Sequence, residues 1–203
     1  MMEKVILFDG KDLNGWTQEN GDAPLWDVRD GIMTVTRKHI VSKEVYQDAW
    51  IHLEFRTPFM PDASGQKRGN SGVFIQGRYE IQVLDSYGFE IPGKGDCGAF
   101  YNTHAPLVNA CKPPMEWQMY DIVFRSPRTD AQGQITEYAR ATVFQNGIPV
   151  LNNVELKCST KPMEVDLTSP GPLMLQDHLN PVSYRNIWMI HLPLKGSDQY
   201  EPG

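Results

Sequence analysis

The sequence lacks the features of a membrane or secreted protein. No apolar run approaches the roughly 20 residues that a bilayer crossing requires. The N-terminal stretch MMEKVILFDG has neither the apolar h-region nor the small-residue cleavage site of a signal peptide. We therefore expect a soluble chain with no membrane partner, cytoplasmic as written, or exported if a signal has been removed.

Basic charge is also scarce. Lys and Arg number 19 against 25 Asp and Glu, which gives a net charge of -6 at pH 7. A protein that binds a phosphate backbone needs clustered Lys and Arg, and the densest basic stretch here is the short QKR at 66–68. The composition thus argues against nucleic acid as a partner.

Cysteine is sparse and its spacing carries no motif. The three cysteines, Cys97, Cys111 and Cys158, are odd in number and far apart, and none belongs to a CxxC pair. A disulfide framework and a thiolate zinc site are both unsupported by this pattern. We expect three buried free thiols.

Helical periodicity is missing, and short alternating segments take its place. Seventeen glycines and fifteen prolines separate these segments, and dipeptides suited to tight turns predict hairpins at Asp30-Gly31, Gly77-Arg78 and Asn146-Gly147. Many strands at short spacing predict an all-β fold, a sandwich of two antiparallel sheets, with the first and last strands paired in one sheet. Residues 1–203 are expected to form a single domain.

Two long connections interrupt this pattern, at Phe59 to Asn70 and at Tyr87 to Glu116. Structureless loops of this length are uncommon in a compact domain and are usually functional or mobile. The second loop contains several prolines and aromatic residues, so we expect it to pack in a defined shape.

The strand that begins at Tyr79 carries the most informative polar residues. Alternation directs Tyr79 and Ile81 to the core, together with Asp85, and places Glu80 and Gln82 on the opposite face. Alternation by itself favours the plain interpretation, that Glu80 and Gln82 only solvate an exposed face. Further support is needed before a function is assigned to them.

That support is a resemblance carried by four segments. LFDGKDLNGW, GNSGVFIQGRYEIQVLDS, EWQMYDIVF with VFQNGIPV, and GPLMLQDHLNPVSYRNIW occur in the order typical of the 3-keto-disaccharide hydrolase family, also known as domain of unknown function 1080. The chain resembles that family from Val5 to Leu194. The resemblance implies a concanavalin A-like jelly roll that binds a sugar across a concave sheet. It also implies action on glycosides whose C3 hydroxyl a partner enzyme, a sugar 3-dehydrogenase, has oxidised to a ketone.

A ketone at C3 acidifies the C2 proton, so the implied route is proton removal at C2, β-elimination of the C1 substituent and hydration. This route needs a base near C2, an electrophile at the C3 oxygen and an acid for the leaving group. Within the resemblance, Glu80 is the candidate base or metal ligand, and His104 the candidate acid or ligand. With Asp177 or His178 they would supply oxygen and nitrogen donors for calcium, manganese or zinc, but their spacing selects no ion.

The remaining candidates would bind the carbohydrate. They lie on the Glu80 strand, in or directly after the two long loops, or near the end of the chain: Arg68, Asn70, Gln82, Tyr101, Trp117, Asp177 and His178. Each has a plainer interpretation, since loop residues can simply be solvated and Trp117 can belong to the core. Asp177 and His178 are adjacent, so at most one enters the site unless the chain turns there. Asn180 and Arg185 are interpreted as structural.

Two other functions stay open. A retaining glycosidase places two carboxylates about 5 to 5.5 Å apart along a strand, but here the corresponding positions are Glu80, Gln82 and Asp85, with an amide in the middle. A non-catalytic carbohydrate-binding module would leave Glu80 exposed beside an aromatic platform. A buried Glu80 that converges with His104 would favour an enzyme.

Overall fold

The computed structural model describes residues 3–160 and 165–194, and within these ranges the regular secondary structure is almost entirely β. The helical content of this part is one 3-10 turn at Gly65–Lys67. The strands are β1 (Lys4–Phe8), β2 (Trp16–Gln18), β3 (Asp27–Arg29), β4 (Ile32–Thr34), β5 (Ile40–Tyr46), β6 (Ala49–Arg56), β7 (Ser71–Ile75), β8 (Tyr79–Val83), β9 (Gln118–Arg125), β10 (Arg128–Thr129), β11 (Ile135–Glu137), β12 (Ala139–Gln145), β13 (Ile148–Leu156), β14 (Gly171–Leu175) and β15 (Ser183–His191). Over the same ranges, no helix is long and apolar enough to cross a bilayer.

The strands form two large antiparallel sheets. The larger sheet has eight strands in the order β13-β12-β9-β6-β15-β4-β3, with β1 paired to β15. The smaller sheet has five strands in the order β2-β5-β14-β7-β8, and β10 and β11 form a separate ribbon. The predicted all-β sandwich is confirmed, as is the pairing of the first and last strands within one sheet.

The turn residues show why the predicted hairpins form. Asp30 and Asn146 have φ of 52° and 55°, and the glycine that follows each is also left-handed, as a tight hairpin turn requires. The third hairpin differs from the prediction by one residue. Its left-handed residues are Gln76 and Gly77, with φ of 51° and 66°, whereas Arg78 leads directly into β8.

A continuous apolar core fills the space between the two sheets. Its largest fully buried side chains come from both layers and include Trp16, Tyr46, Tyr79, Tyr120, Tyr184, Phe55 and Phe124. Strands of the larger sheet alternate between buried and exposed residues, as in β9. In β7 and β8, by contrast, every residue is buried, so the outer face of the smaller sheet is covered at this edge.

Part of the second long loop protects the edge of β8. The backbone of Gln82 exchanges hydrogen bonds with Gly98 and Ala99, at 3.0 and 2.9 Å, and the Tyr101 N–H donates to the Glu80 carbonyl at 3.0 Å. An unpaired edge strand is a site for unwanted pairing with another chain. Residues 98–101 therefore act as a sixth strand of the smaller sheet, which explains why this long loop has a defined shape.

Candidate active site

Glu80 lies on the outer face of the smaller sheet, yet it is only 6% exposed. Its neighbours along β8, Tyr79 and Ile81, point into the core and are fully buried, so alternation predicts the direction of the Glu80 side chain correctly. The plain interpretation of Glu80 as a solvated surface residue is wrong. A carboxyl group in this position loses most of its contact with water.

The chemical consequence is a shifted acidity. Burial raises the pKa of Glu80 to about 7, because the charged form loses its hydration. Within the described part of the chain, no side chain donates a hydrogen bond to this carboxyl group and no cation pairs with it. Glu80 is thus poised to accept and release a proton near neutral pH, which is the property required of a general base.

Gly72 provides the space that the Glu80 carboxyl group occupies. A Cβ atom at position 72 would lie 2.5 Å from Glu80 Oε1 and 3.0 Å from the ring of Phe74. The φ of Gly72 is not in the left-handed region, so the requirement for glycine here is steric rather than conformational. The GNSG segment thus leaves room for a carboxyl group above the backbone of β7.

Gly72→Ala is expected to push the Glu80 carboxyl group away from β7 and towards solvent. Better hydration should lower the pKa of Glu80 towards its ordinary value. A carboxyl-specific titration, by NMR of the labelled side chain, would measure the shift. As a control, Gly72→Ala should cost less stability in a Glu80→Ala background than in the wild type, because the clash with the carboxyl group is gone. An unchanged pKa of Glu80 in the single Gly72→Ala variant would contradict this account of Gly72.

An apolar row extends from Glu80 across the sheet. Phe74 pairs with Glu80, Met174 pairs with Phe74, and Val41 pairs with Met174, so all four side chains share the outer face. Neighbouring strands are about 4.8 Å apart, which places Val41 roughly 14 Å from Glu80. Val41 and Met174 also line a cavity of about 440 Å³ together with Arg78. Sequence patterns did not identify this row.

Tyr101 lies on the opposite side of Glu80. The antiparallel bridge between Ile81 and Phe100 sets the register, so that Tyr101 is next to Glu80 and on the same face. The side chain of Tyr101 is partly buried. Tyr101, which the sequence suggested as a carbohydrate-binding residue, thus lies beside Glu80.

Gln82 and Asn70 belong to a network of side-chain amides beside Glu80. Gln82 Nε2 donates to Gln66 Oε1 at 3.1 Å and to Asn70 Oδ1 at 3.2 Å. The Asn70 backbone N–H in turn donates a 2.8 Å hydrogen bond to Asn180 Oδ1, which gives Asn180 the structural role expected for it. Because both donors of Gln82 have partners, the orientation of its amide is set.

Two buried acceptors on this face have no hydrogen-bond partner in the part of the chain that the structure describes. Gln82 Oε1 and Gln176 Oε1 each lack a hydrogen bond. The backbone N–H of Gln176 donates to the Gly72 carbonyl, so β7 lies between the two glutamines. A buried acceptor without a donor costs about 1–3 kcal/mol, which hydroxyl groups of a bound sugar would recover.

Arg68 holds the end of β8 in place. Its guanidinium donates twice to the Asp85 carbonyl, at 3.2 and 2.9 Å, and lies 3.3 Å from the Asp85 carboxylate. Asp85 is thereby committed to a structural ion pair, and no carboxylate of the described residues contributes to the shifted pKa of Glu80. Among the described residues, the two-carboxylate arrangement of a retaining glycosidase is therefore not assembled around Glu80.

His104 lies at the side of the sandwich and makes no described contact with the Glu80 carboxyl group. It lines a cavity of about 370 Å³ with the end of β13 and with Cys158. Burial and then the charge of Lys94 lower the pKa of His104. The described hydrogen bonds and ion pairs thus include no direct contact between Glu80 and His104.

Asp177 and His178 lie at the far end of β14. Asp177 receives at Oδ2 a 2.9 Å bond from the Lys38 N–H and borders a cavity of about 390 Å³, together with His39. His178 is exposed. Asp177 lines this cavity and His178 does not, and the cavity lies on the far side of β14 from Glu80.

The sequence as a whole matches one protein family. Residues 3–190 match the family described as the 3-keto-alpha-glucoside-1,2-lyase-like domain. The chain belongs to this family. No curated protein sequence matches it.

Solved structures share the fold of this 3-keto-alpha-glucoside-1,2-lyase-like domain. A candidate glycosyl hydrolase from Parabacteroides distasonis ATCC 8503 is 38% identical, with a TM-score of 0.85, over 93% of this chain and 84% of that one. A second candidate glycosyl hydrolase from the same organism is 20% identical, with a TM-score of 0.66, over 94% of each chain. Alginate lyase Aly36B, solved with an alginate tetrasaccharide, is 11% identical with a TM-score of 0.54, over 97% of this chain and 100% of that one, and shares the fold.

Trp117 stands apart from the other candidates that the family resemblance suggested. Its side chain lies on the outer face of the larger sheet, where the guanidinium groups of Arg56 and Arg185 are 4.8 and 4.0 Å from its ring centroid. Two sheets and the core separate it from Glu80. A sugar at Glu80 would not reach Trp117, and the ring is also not part of the core.

The candidate metal ligands of this 3-keto-alpha-glucoside-1,2-lyase-like domain are likewise dispersed. Among residues 3–160 and 165–194, no group of three or more His, Cys, Asp or Glu side chains is close enough to hold an ion. Glu80, His104 and Asp177 occupy three separate places on the sandwich. These residues do not fit a shared metal, and no step of the chemistry is derived through one.

Proposed function

We propose that the protein cleaves 3-keto-glycosides, with Glu80 as the base that removes the C2 proton. The buried Glu80 carboxyl group, with its pKa raised to about 7, carries the proposal. Membership of the 3-keto-alpha-glucoside-1,2-lyase-like family supports a carbohydrate-active protein of the glycoside hydrolase or lyase kind. A carboxyl group with this pKa is largely ionised at slightly alkaline pH, and its carboxylate still accepts a proton readily.

The proposed reaction is an elimination followed by an addition. Glu80 takes the C2 proton, and the electrons of that C–H bond form an enediolate that extends to the C3 oxygen. The enediolate collapses as the C1–O bond breaks, which leaves a double bond between C1 and C2 and releases the aglycone. The aglycone oxygen receives a proton, and water then adds across the double bond to give the free 3-keto sugar.

Three neighbours of Glu80 suit a sugar ring. Tyr101 is adjacent on the same face and can pack on the apolar side of a ring. The Oε1 atoms of Gln82 and Gln176 are acceptors that find no donor among residues 3–160 and 165–194, which fits the donor hydroxyls on either side of a C3 ketone. The apolar row beyond Phe74 provides a surface for the leaving group.

The substrate must come from a prior oxidation. A ketone at C3 arises when an oxidoreductase removes two hydrogens from a glycoside, so the proposed activity implies a functional link to a sugar 3-dehydrogenase. The unoxidised glycoside lacks an acidic C2 proton and should be inert in the proposed reaction.

Paired substrates test the function directly. The wild-type protein is expected to release the aglycone from a 4-nitrophenyl 3-keto-glucoside and not from the unoxidised parent, with the rate followed by absorbance. The same assay in EDTA reports on any metal requirement. Release from the parent would indicate an ordinary glycosidase, and sugar binding without release from either compound would indicate a carbohydrate-binding module.

A further inference from the structure

Two thiols lie together behind the end of β8. The sequence predicts three buried thiols, and Cys97 and Cys111 are buried, whereas Cys158 is exposed, so the prediction is wrong for Cys158. Cys97 Sγ lies 3.2 Å from the hydroxyl of Tyr120. Cys111 Sγ donates to the Leu84 carbonyl at 3.6 Å. Both sulfur atoms thus border the strand that carries Glu80.

A pair of glutamines joins the two thiols. Gln145 Nε2 donates to Cys97 Sγ at 3.4 Å and to Gln118 Oε1 at 3.0 Å. Gln118 Nε2 lies 3.7 Å from Cys111 Sγ. The thiols of Cys97 and Cys111 also influence each other's pKa. The two sulfur atoms therefore share one polar pocket inside the protein.

The surroundings make the two thiols chemically unequal. Burial opposes ionisation of Cys97, but hydrogen bonds from Cys111, Tyr120 and Gln145 outweigh it and lower the pKa of the Cys97 thiol. The hydrogen bond to Cys97, followed by burial, raises the pKa of the Cys111 thiol. Cys97 is thus the nucleophile of the pair and Cys111 its protonated partner.

We infer that Cys97 and Cys111 form a redox-active dithiol, which a peroxide converts into an intramolecular disulfide that secures the wall of the Glu80 site. The connection to the site is short. Cys97 immediately precedes residues 98–101, which pair with β8, and Tyr101 of that segment is adjacent to Glu80. Cys111 closes the same loop 14 positions later.

A small peroxide suits a pair this deeply buried. The Cys97 thiolate attacks one oxygen of hydrogen peroxide, the O–O bond breaks, and the products are a sulfenic acid at Cys97 and, after protonation, one water. The Cys111 sulfur then attacks the Cys97 sulfur, the S–O bond breaks, and the proton from Cys111 leaves with the oxygen as a second water. The two thiols lose two electrons in total, and the peroxide gains them.

The disulfide can be tested on the native protein. Folded wild type is treated with hydrogen peroxide, denatured, and titrated for free thiols, and its peptides are mapped by mass spectrometry. We expect the thiol count to fall from three to one, with Cys97 and Cys111 joined and Cys158 free. Dithiothreitol should restore all three thiols. Recovery of Cys97 and Cys111 as free thiols, or as separate sulfinic acids, would overturn the inference.

Two variants and one further measurement sharpen the test. After peroxide treatment, the number of free thiols in Cys158→Ser should fall from two to none, whereas Cys111→Ser should form no intramolecular disulfide. Hydrogen exchange of the Gly98 and Tyr101 amides should slow several-fold in the oxidised wild type, because the loop can no longer open freely. Exchange that is equal in the two redox forms would overturn the link to the site. The wild-type readouts do not depend on whether a variant folds.

Discussion

Glu80→Gln is expected to lower kcat/KM for a 3-keto-glucoside by about 10²- to 10⁴-fold, the range typical of a lost general base. The amide has nearly the same shape as the carboxylic acid and therefore still fits above Gly72, but it cannot accept the C2 proton. The KM should change little, since the proposed role of Glu80 lies in the transition state rather than in binding. Initial rates of aglycone release would measure both parameters.

A matched variant separates this effect from a general change in charge. Glu90 is an exposed carboxylate in the loop after β8, and Glu90→Gln removes the same charge without touching the site. Its kcat/KM should equal that of the wild type. If Glu80→Gln retained full activity while the wild type cleaved only the keto substrate, the elimination would stand and its base would have to be another residue.

The pH dependence of the wild type provides a separate check. Only the ionised form of Glu80 can act as a base, so kcat/KM should rise with pH and reach half its plateau near pH 7, the pKa that burial gives Glu80. Gly72→Ala, which should lower that pKa, is expected to move the midpoint to more acidic pH. A profile that falls through pH 7 would mean that Glu80 acts as an acid instead.

Much of the fold follows from local rules that the sequence displays. Asp30-Gly31 and Asn146-Gly147 mark tight turns through backbone preferences alone, and alternation alone places Glu80 and Gln82 opposite the core. The error at Gln76 also has a local cause. A glutamine rarely adopts a left-handed φ, so the pattern favoured Gly77 with Arg78, whereas the native turn uses Gln76 with Gly77.

The site was less predictable because it depends on long-range pairing. Burial of Glu80 results from the covering of both faces of β7 and β8, and no property of residues 79 to 85 specifies it. The separation of Trp117 from Glu80 depends on sheet order, which a resemblance in motifs does not reveal. Gly72 and Phe74 were missed for a related reason. Their importance comes from the strand register, which pairs Gly72 with Gln82 and Phe74 with Glu80.

Glu80→Gln is also expected to stabilise the protein at alkaline pH, although it removes the proposed catalytic group. In the folded state the pKa of Glu80 is about 7, raised from an ordinary value of 4.5. The protonated carboxyl group is therefore favoured by folding, and this contribution is fully present below pH 4.5 and is lost as pH rises through 7. At pH 8 the buried charge should cost about 3 kcal/mol of unfolding free energy, which the neutral amide avoids.

Urea unfolding of the wild type and of Glu80→Gln across pH 4 to 8 would measure the difference. The two proteins should have similar stability near pH 4, and the variant should become progressively more stable as the pH rises through 7, while Glu90→Gln should follow the wild type throughout. A variant that is less stable at pH 8 would show that the Glu80 carboxylate is held by a favourable partner and serves the fold. A variant that is more stable but inactive would instead show that the protein tolerates a destabilising buried charge at position 80. Such a charge is retained where the chemistry of the site requires a base.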